Sequence, residues 1–408
     1  MNAPTNAPTY DTERTAHLDT AGTGRMPDGV RAVLAACTAR DDRFGSRALK
    51  EHLGAVLDTE VHDRLGGLLG VPAGDTVLTT GAAAAFDAFV CATELGPGDR
   101  IWTTPHEGVD HLTTLYALRD RTRCRLEVVP LRADGDLDLD WMRDHIDEDV
   151  ALVSVVHVSS ACGTVNPVER VGRLLAPHRA RYAVDASHSV GQLPVDAART
   201  GAHLVTADGW RFLRGPDAVG FAYAAPGVWG GRPPAPAPAA VAALNAALAH
   251  HAAASRLPRE DLLPRLRAVV ERTPGIELLA PGREQAGMLA FRHGEVPAAL
   301  IRRGLARRGV VLRKSVAQEN PLHPAVRDGD TAVRASVHHD NGAQDIDRFE
   351  QALREVLREE RERREYTGAA FTAAPAAVGA AVADGPGGPS PYRAKPAGRR
   401  HLTLHRAT

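Results

Sequence analysis

The chain has 408 residues, with 49 Lys+Arg against 50 Asp+Glu and a formal net charge of −1. That balance excludes a general nucleic-acid binder, which needs a basic surface to neutralise phosphates, and no stretch reaches the ~20 apolar residues that cross a bilayer. Hydrophobic residues make up 44% of the sequence, enough for a buried core, and the length fits a large α/β domain joined to a smaller one.

Cys37, Cys91, Cys124 and Cys162 lie far apart without zinc-type spacing. The reading is a reduced, cytoplasmic protein with no metal site. The opening MNAPTNAPTYDTERT lacks a charged segment followed by an apolar run, so no secretory leader is expected. Lysine occurs only at Lys50, Lys314 and Lys395. A GC-rich genome accounts for that bias, yet any mechanism needing a lysine amine has three candidates.

In chain order, residues 1–14 read as a disordered arm. Short apolar runs of strand length follow at Thr76–Thr80, Arg100–Thr104, Leu126–Leu131, Val150–Val158, Arg181–Asp185, His203–Thr206 and Val219–Tyr223. Their consecutive apolar positions suit strands buried on both faces. Amphipathic stretches alternate with them at Ala84–Leu95, Val109–Arg119, Asp140–Ile146 and Pro167–His178. This alternation predicts an α/β fold with a mostly parallel sheet.

Residues 226–240, rich in Pro, Gly and Ala, mark a break, so a large domain over 15–240 and a small α/β domain over 241–366 are expected. The small domain has helices around Leu262–Glu271 and Ala298–Arg308. It ends in a helix whose Asn341 and Gln344 read as a capping box. Ile346, Phe349, Leu353 and Val356 give that helix its apolar face, and REERERREY its solvated end. From Thr367 to Thr408 the composition is that of a disordered tail.

In open parallel sheets the ligand lies at the carboxyl ends of the strands, and three strand ends are informative here. In VLTTGAAAAFDAF a strand stops at Gly81 and a helix begins, leaving amides that can cradle an anion. In RYAVDASHSVGQLPVD, Asp185 ends an apolar strand, and a partly buried carboxylate there needs a cationic partner. The third, HLVTADGWRFLRGPDAVGFAYA, joins two strands through a polar turn and RFLRGP.

Taken together and in order, these segments resemble the class V aminotransferase family, pyridoxal-phosphate (PLP) proteins of fold type I. The resemblance runs from about HLDTAGTGRMP to DIDRFEQAL and is strongest in VSVVHVSSACGTVNPV, VDASHSVGQLPVD, RFLRGPDAVGFAY and VRASVHHDNGAQDIDRF. The family includes cysteine desulfurases. Within it the motifs look most like the branch of isopenicillin N epimerase and the sulfoxide lyase of ergothioneine synthesis. What the resemblance implies is a large fold-type-I domain plus a small one, and a homodimer with sites at its interface.

Carried over residue by residue, the resemblance puts the partner of the pyridinium nitrogen at Asp185. The phosphate-binding turn falls at Gly81, Ala82 and Ala83, where Ala83 lacks the expected hydroxyl. The glutamine after the aspartate is His188, the family's asparagine before a glycine is Ser160, and the Glu-Tyr pair is Glu107-Gly108, with His106 or His111 as substitute stacking rings. Arg334 matches the receiver of the substrate carboxylate, and Arg313 a second arginine. The largest departure is at the Schiff-base lysine, which precedes a hydrophobic pair and the R-G-P turn: that position is Arg211. A guanidinium, with a pKa above ~12, stays protonated and serves neither as nucleophile nor as base, whereas PLP chemistry requires a neutral amine.

Three readings follow. In the first, the protein forms no internal aldimine and binds a small amino-acid-like carboxylate through Arg313 and Arg334, as a non-catalytic or pathway-specific subunit. In the second, PLP or pyridoxamine phosphate binds noncovalently, or no cofactor binds, and His188, His106 or His111 is the base of a lyase, epimerase or dehydratase. In the third, Lys314 or a lysine-bearing paralogue in a heterodimer restores ordinary chemistry. Without a pyridinium in place, Arg211 is expected to pair with Asp185, directly or through water.

Overall fold

The segment Val150–Val156, VALVSVV, is buried at all seven positions, as a strand covered on both faces must be. The computed structural model describes residues 15–229, 233–254, 262–279, 281–324, 326 and 331–372, with only backbone for 367–372. The expected arm at 1–14 and the tail from 373 onward lie outside them. Residues 1–360 cluster as one unit and 361–408 as another, of which the described part is helical.

The elements begin with β1 (Ala16–His17), α1 (Asp28–His52), α2 (Val61–Leu69), β2 (Thr76–Thr79) and α3 (Ala82–Cys91). Next come β3 (Arg100–Thr103), α4 (Val109–Thr122), β4 (Arg125–Val128), α5 (Leu139–His145), β5 (Val150–Val156) and α6 (Val168–Leu175). They continue with β6 (Arg181–Asp185), α7 (Ala197–Thr200), β7 (Leu204–Asp208), β8 (Gly220–Ala224) and α8 (Pro238–Ala254). The remainder comprises α9 (Leu263–Arg272), β9 (Ile276–Leu278), β10 (Met288–His293), α10 (Ala298–Arg307), β11 (Val310–Val311), β12 (Arg313–Ser315), β13 (Ala332–Ser336) and α11 (Ala343–Thr372).

Seven strands form one sheet in the order β2-β8-β7-β6-β5-β3-β4. The run β7-β6-β5-β3-β4 is parallel, and β8 and β2 add antiparallel pairs at one side. The exposed edge strand β4 carries Arg125 and Glu127, charges that discourage pairing with another chain. Trp102, Val153, Tyr182 and Phe221 belong to one large apolar cluster, and Phe86, Phe89, Ile101 and Leu152 to another. Helices therefore cover both sheet faces, as the strand–helix alternation implied.

A second sheet, β12-β13-β10-β9, is antiparallel and has its own core of Phe291, Ile301, Val333, Phe349 and Leu353. Two local readings change. The break at 226–240 runs into α8, whose Ala242, Ala243 and Ala247 pack in clusters with α1 residues Cys37, Leu49 and Val30, so the expected boundary at 240/241 falls inside a helix. The start of α11 is not closed by an Asn341–Gln344 box. Asp345 Oδ2 accepts from Gly342 N at 3.1 Å and from Asn341 Nδ2 at 3.0 Å, because the shorter aspartate reaches the turn directly. α11 also runs to Thr372, past the expected start of the tail.

The packing of α6 on α7 depends on Gly172: a side-chain carbon there would lie 1.7 Å from the carbonyl oxygen of Thr200. Gly172→Ala should therefore destabilise the protein by about 2 kcal/mol, read as a lower urea midpoint with unchanged slope. An unchanged midpoint would show that the two helices do not approach this closely.

Candidate functional site

The carboxyl ends of β6 and β7, the start of α3 and the β12–β13 edge enclose a cavity of about 440 Å³. Gly81, Ala82, Ala83, Ser160, Asp185, His188, Arg211, Arg313 and Arg334 all line it. His106 does not: it is buried elsewhere, with Nδ1 3.0 Å from Asn166 Oδ1 and its ring stacked on His323. Burial, with His323 adding to it, lowers its pKa to about 4. The ring that does line the cavity is His111, stacked on Phe86 at 4.0 Å.

Arg211 sits in a tightly fixed turn. Gly215 N donates to Gly209 O at 2.8 Å, and Arg214, at φ 61°, donates from its backbone N to Arg211 O at 3.0 Å. The Arg211 side chain does not make the direct pair with Asp185. Its Nε donates to Asp208 Oδ2 at 3.0 Å, and its Nη1 donates to Ala21 O at 2.9 Å. The reason is proximity along the chain: Asp208 ends β7 three residues earlier and brings its carboxylate to the guanidinium.

The other oxygen of Asp208 has a second role. Oδ1 accepts the amide of Ala82, the first residue of α3, at 3.0 Å. The carboxylate thus sits at the positive end of the helix, where backbone amides favour an anion. Burial pushes the Asp208 carboxyl above its usual range, and Arg211 and the Ala82 amide oppose that shift. Trp210 closes over the same turn, its ring 3.4 Å from where a side-chain carbon on Gly81 would be.

Asp185 has a protein partner as well. Ser187 N donates to its Oδ1 at 2.8 Å, and Asp185, Glu107 and His111 bring their charged atoms within 4.8 Å of one another. His111 Nδ1 lies 3.3 Å from Glu107 Oε1, and Ser154 donates to Glu107 Oε2 at 3.0 Å. Burial alone would lower the His111 pKa, but Glu107, Asp185 and Asp208 outweigh it and hold the value at about 9. At neutral pH the group facing Asp185 is therefore an imidazolium.

On the opposite wall Arg334 is 3% exposed and donates to Ser160 O at 2.5 Å, with Asp19 Oδ1 at 3.7 Å. Burial lowers its pKa only to about 10, so it stays charged. Arg313 donates to Glu319 Oε1 at 2.7 Å. Ser160 Oγ donates to Asn320 Oδ1 at 2.6 Å, and Val109 N donates to Glu319 O at 3.0 Å, which draws the segment after β12 across the mouth. His188 Nε2 is 3.1 Å from Ala21 O, while its buried Nδ1 has no hydrogen-bond partner among the described residues. Burial, reinforced by Arg211 and Arg334, pushes its pKa well down.

Among the described residues no lysine lines the cavity. Lys314 neighbours Arg313 on β12, and alternation along the strand sends the two side chains to opposite faces. Lys50 lines a different cavity. The residues present do not fit PLP bound in the family manner. The amine is missing, the first amide of α3 is taken by Asp208, and Asp185 already faces a cation. Sequence reading missed Asp208 and Trp210, although an acidic residue three positions before Arg211, at a strand end, is a usable signal for an internal pair.

His111 gives a pH test. Its folded pKa of about 9 lies above the ordinary 6.5, so the stabilisation it brings is complete below pH 6.5 and is lost as pH rises through about 9. Unfolding free energy should fall by at least ~1.4 kcal/mol over that window, and His111→Gln should flatten the fall. An identical pH slope in parent and variant would refute the imidazolium assignment.

The family model for aminotransferase class V matches residues 17–235. A probable cysteine desulfurase from Halobacterium salinarum is 30% identical over 217 residues, covering 52% of each chain. A cysteine desulfurase from Haloferax volcanii is 28% identical over 226 residues, 52% of this chain and 51% of that one. The chain thus spans about half the length of the curated relatives it matches. In fold it is similar to the cysteine desulfurase CsdA from Escherichia coli, with a TM-score of 0.75 at 20% identity over 85% of this chain and 96% of that one. The apo cysteine desulfurase of Thermococcus onnurineus gives the same TM-score of 0.75 at 19% identity, over 85% and 96% of the two chains. The match to the family model covers more than half of the sequence, and the chain belongs to the class-V aminotransferase family.

Proposed function

We propose that this protein keeps the class-V fold but forms no internal aldimine, and that it binds a small amino-acid-like carboxylate between Arg334 and Arg313. The observation that carries this reading is Arg211: the lysine position holds a guanidinium fixed to Asp208 at 3.0 Å and to Ala21 O at 2.9 Å. A permanently protonated group tied down in this way cannot condense with an aldehyde.

Arg334 supports the ligand class. It is a buried cation on the cavity wall, and a carboxylate is the partner that best compensates such a charge. Glu319 already occupies Arg313, so an incoming carboxylate would exchange with a resident one. Desulfuration of the kind named for the relatives has less support, because accepting sulfur on the protein needs an accessible thiolate. None of the four cysteines lines the cavity, and Cys162, the one nearest in sequence to Ser160, is buried.

A second reading has a specific observation in its favour. His188 presents on the cavity wall a neutral ring whose buried Nδ1 has no hydrogen-bond partner among the described residues, and a neutral imidazole can take a proton without a Schiff base. A cofactor-free or noncovalent lyase or epimerase would use it in that way. Lys314 receives no support, since it is absent from the cavity lining.

Two measurements test the proposal. Protein mixed with excess PLP and then reduced with borohydride should give no phosphopyridoxyl-lysine peptide and no visible aldimine band; modification of Lys314 or another lysine would refute it. In thermal-shift titrations against a panel of amino acids, Arg334→Leu should weaken binding of the best ligand at least tenfold, about 1.4 kcal/mol. An unchanged affinity would remove Arg334 from the site.

A further inference from the structure

We infer that Asp208 is a built-in anion that closes the phosphate seat at the start of α3, so that this pocket selects unphosphorylated ligands. The inference deepens the reading above and rests on its placement of the ligand in this cavity. It makes a separate claim, however, about one end of the pocket.

A helix start attracts anions through unsatisfied amides and the aligned peptide dipoles. In α3 there is no side-chain cap from the preceding residue, Gly81. The anion comes instead from 126 residues further along the chain, where Asp208 accepts the Ala82 amide at 3.0 Å. Its other oxygen is bound to Arg211 at 3.0 Å, and its backbone N donates to Ser187 Oγ at 3.2 Å. The carboxylate is 8% exposed, held at each of its two oxygens and placed on the cavity wall.

A phosphate dianion brought to these amides would meet that carboxylate at contact distance. Two like charges a few ångströms apart repel strongly where one of them is a largely buried carboxylate. Trp210 reduces the room further by lying over Gly81. The nearest cation, Arg211, does not offset the repulsion, because its Nε and Nη1 are already committed to Asp208 and Ala21. A ligand without a phosphate avoids this end of the pocket and retains Arg334, Arg313 and His188 on the other walls.

The test compares PLP with pyridoxal, which has the same ring and aldehyde but no phosphate, with both affinities measured by quenching of tryptophan fluorescence. The parent protein should bind PLP no more tightly than pyridoxal. Asp208→Ser, which removes the anion and frees Arg211, should favour PLP over pyridoxal by at least tenfold. Asp208→Asn serves as the isosteric variant should the serine protein be poorly folded, and a preference of the same sign is expected. Asp110→Asn removes a different carboxylate from the same lining and should leave the PLP-to-pyridoxal ratio unchanged.

A parent protein that already prefers PLP tenfold, Asp208 variants that gain no preference, or an equal gain in Asp110→Asn would each overturn the inference. Borohydride-trapped aldimine would refute the earlier reading of Arg211 while leaving this ratio to be judged on its own.

Discussion

The ion pair between Asp208 and Arg211 organises this pocket. One carboxylate spans two demands: the amide at the start of α3 and the guanidinium at the end of the turn after β7. Without it the guanidinium would lack a counter-charge and the amide its side-chain acceptor in a largely buried turn, where an uncompensated charge is costly. Through Arg211 the pair also reaches Ala21 O, which His188 contacts as well, so the segment after β1 is tied to the end of the central sheet. Changing Arg211 alone leaves Asp208 with only the Ala82 amide, and changing Asp208 alone leaves Arg211 with only backbone carbonyl oxygens, so neither keeps a charged partner and the two residues form one unit.

The same logic extends across the cavity. Asp185 faces an imidazolium on His111, itself held by Glu107, and Arg313 is matched by Glu319. The charges of the pocket are therefore largely satisfied by the protein itself. Arg334, with Ser160 O and a distant Asp19 carboxylate as its partners, is the cation with most to gain from a bound carboxylate. This balance of charges is the basis for proposing a small zwitterion as the ligand in place of a doubly charged cofactor phosphate.

Much of the architecture was legible in the sequence because it rests on apolar periodicity. The strands from Thr76 to Ala224 and the helices between them lie close to where runs of Val, Leu and Ala place them. Of the residues that line the cavity, Gly81 and Asp185 were legible from strand ends, and Arg211 and Arg334 through the family resemblance. The pairings within it were not. That Arg211 meets Asp208 and not Asp185 depends on side-chain reach within one turn, and that Asp208 crosses to α3 depends on β7 ending beside that helix start. The removal of His106 to a separate cluster with Asn166 and His323 is likewise a tertiary effect. Helix α8 was obscured because it begins inside a Pro/Ala-rich stretch, where composition argues for a break and packing on α1 decides otherwise.

The most direct measurement is a crystal structure of the protein grown in excess PLP, examined at the start of α3. The account predicts an Asp208 oxygen within hydrogen-bond distance of Ala82 N, Arg211 on its other oxygen and no phosphate at Gly81–Ala83. Phosphate seated on those amides, with Arg211 turned toward it and Asp208 displaced, would contradict it.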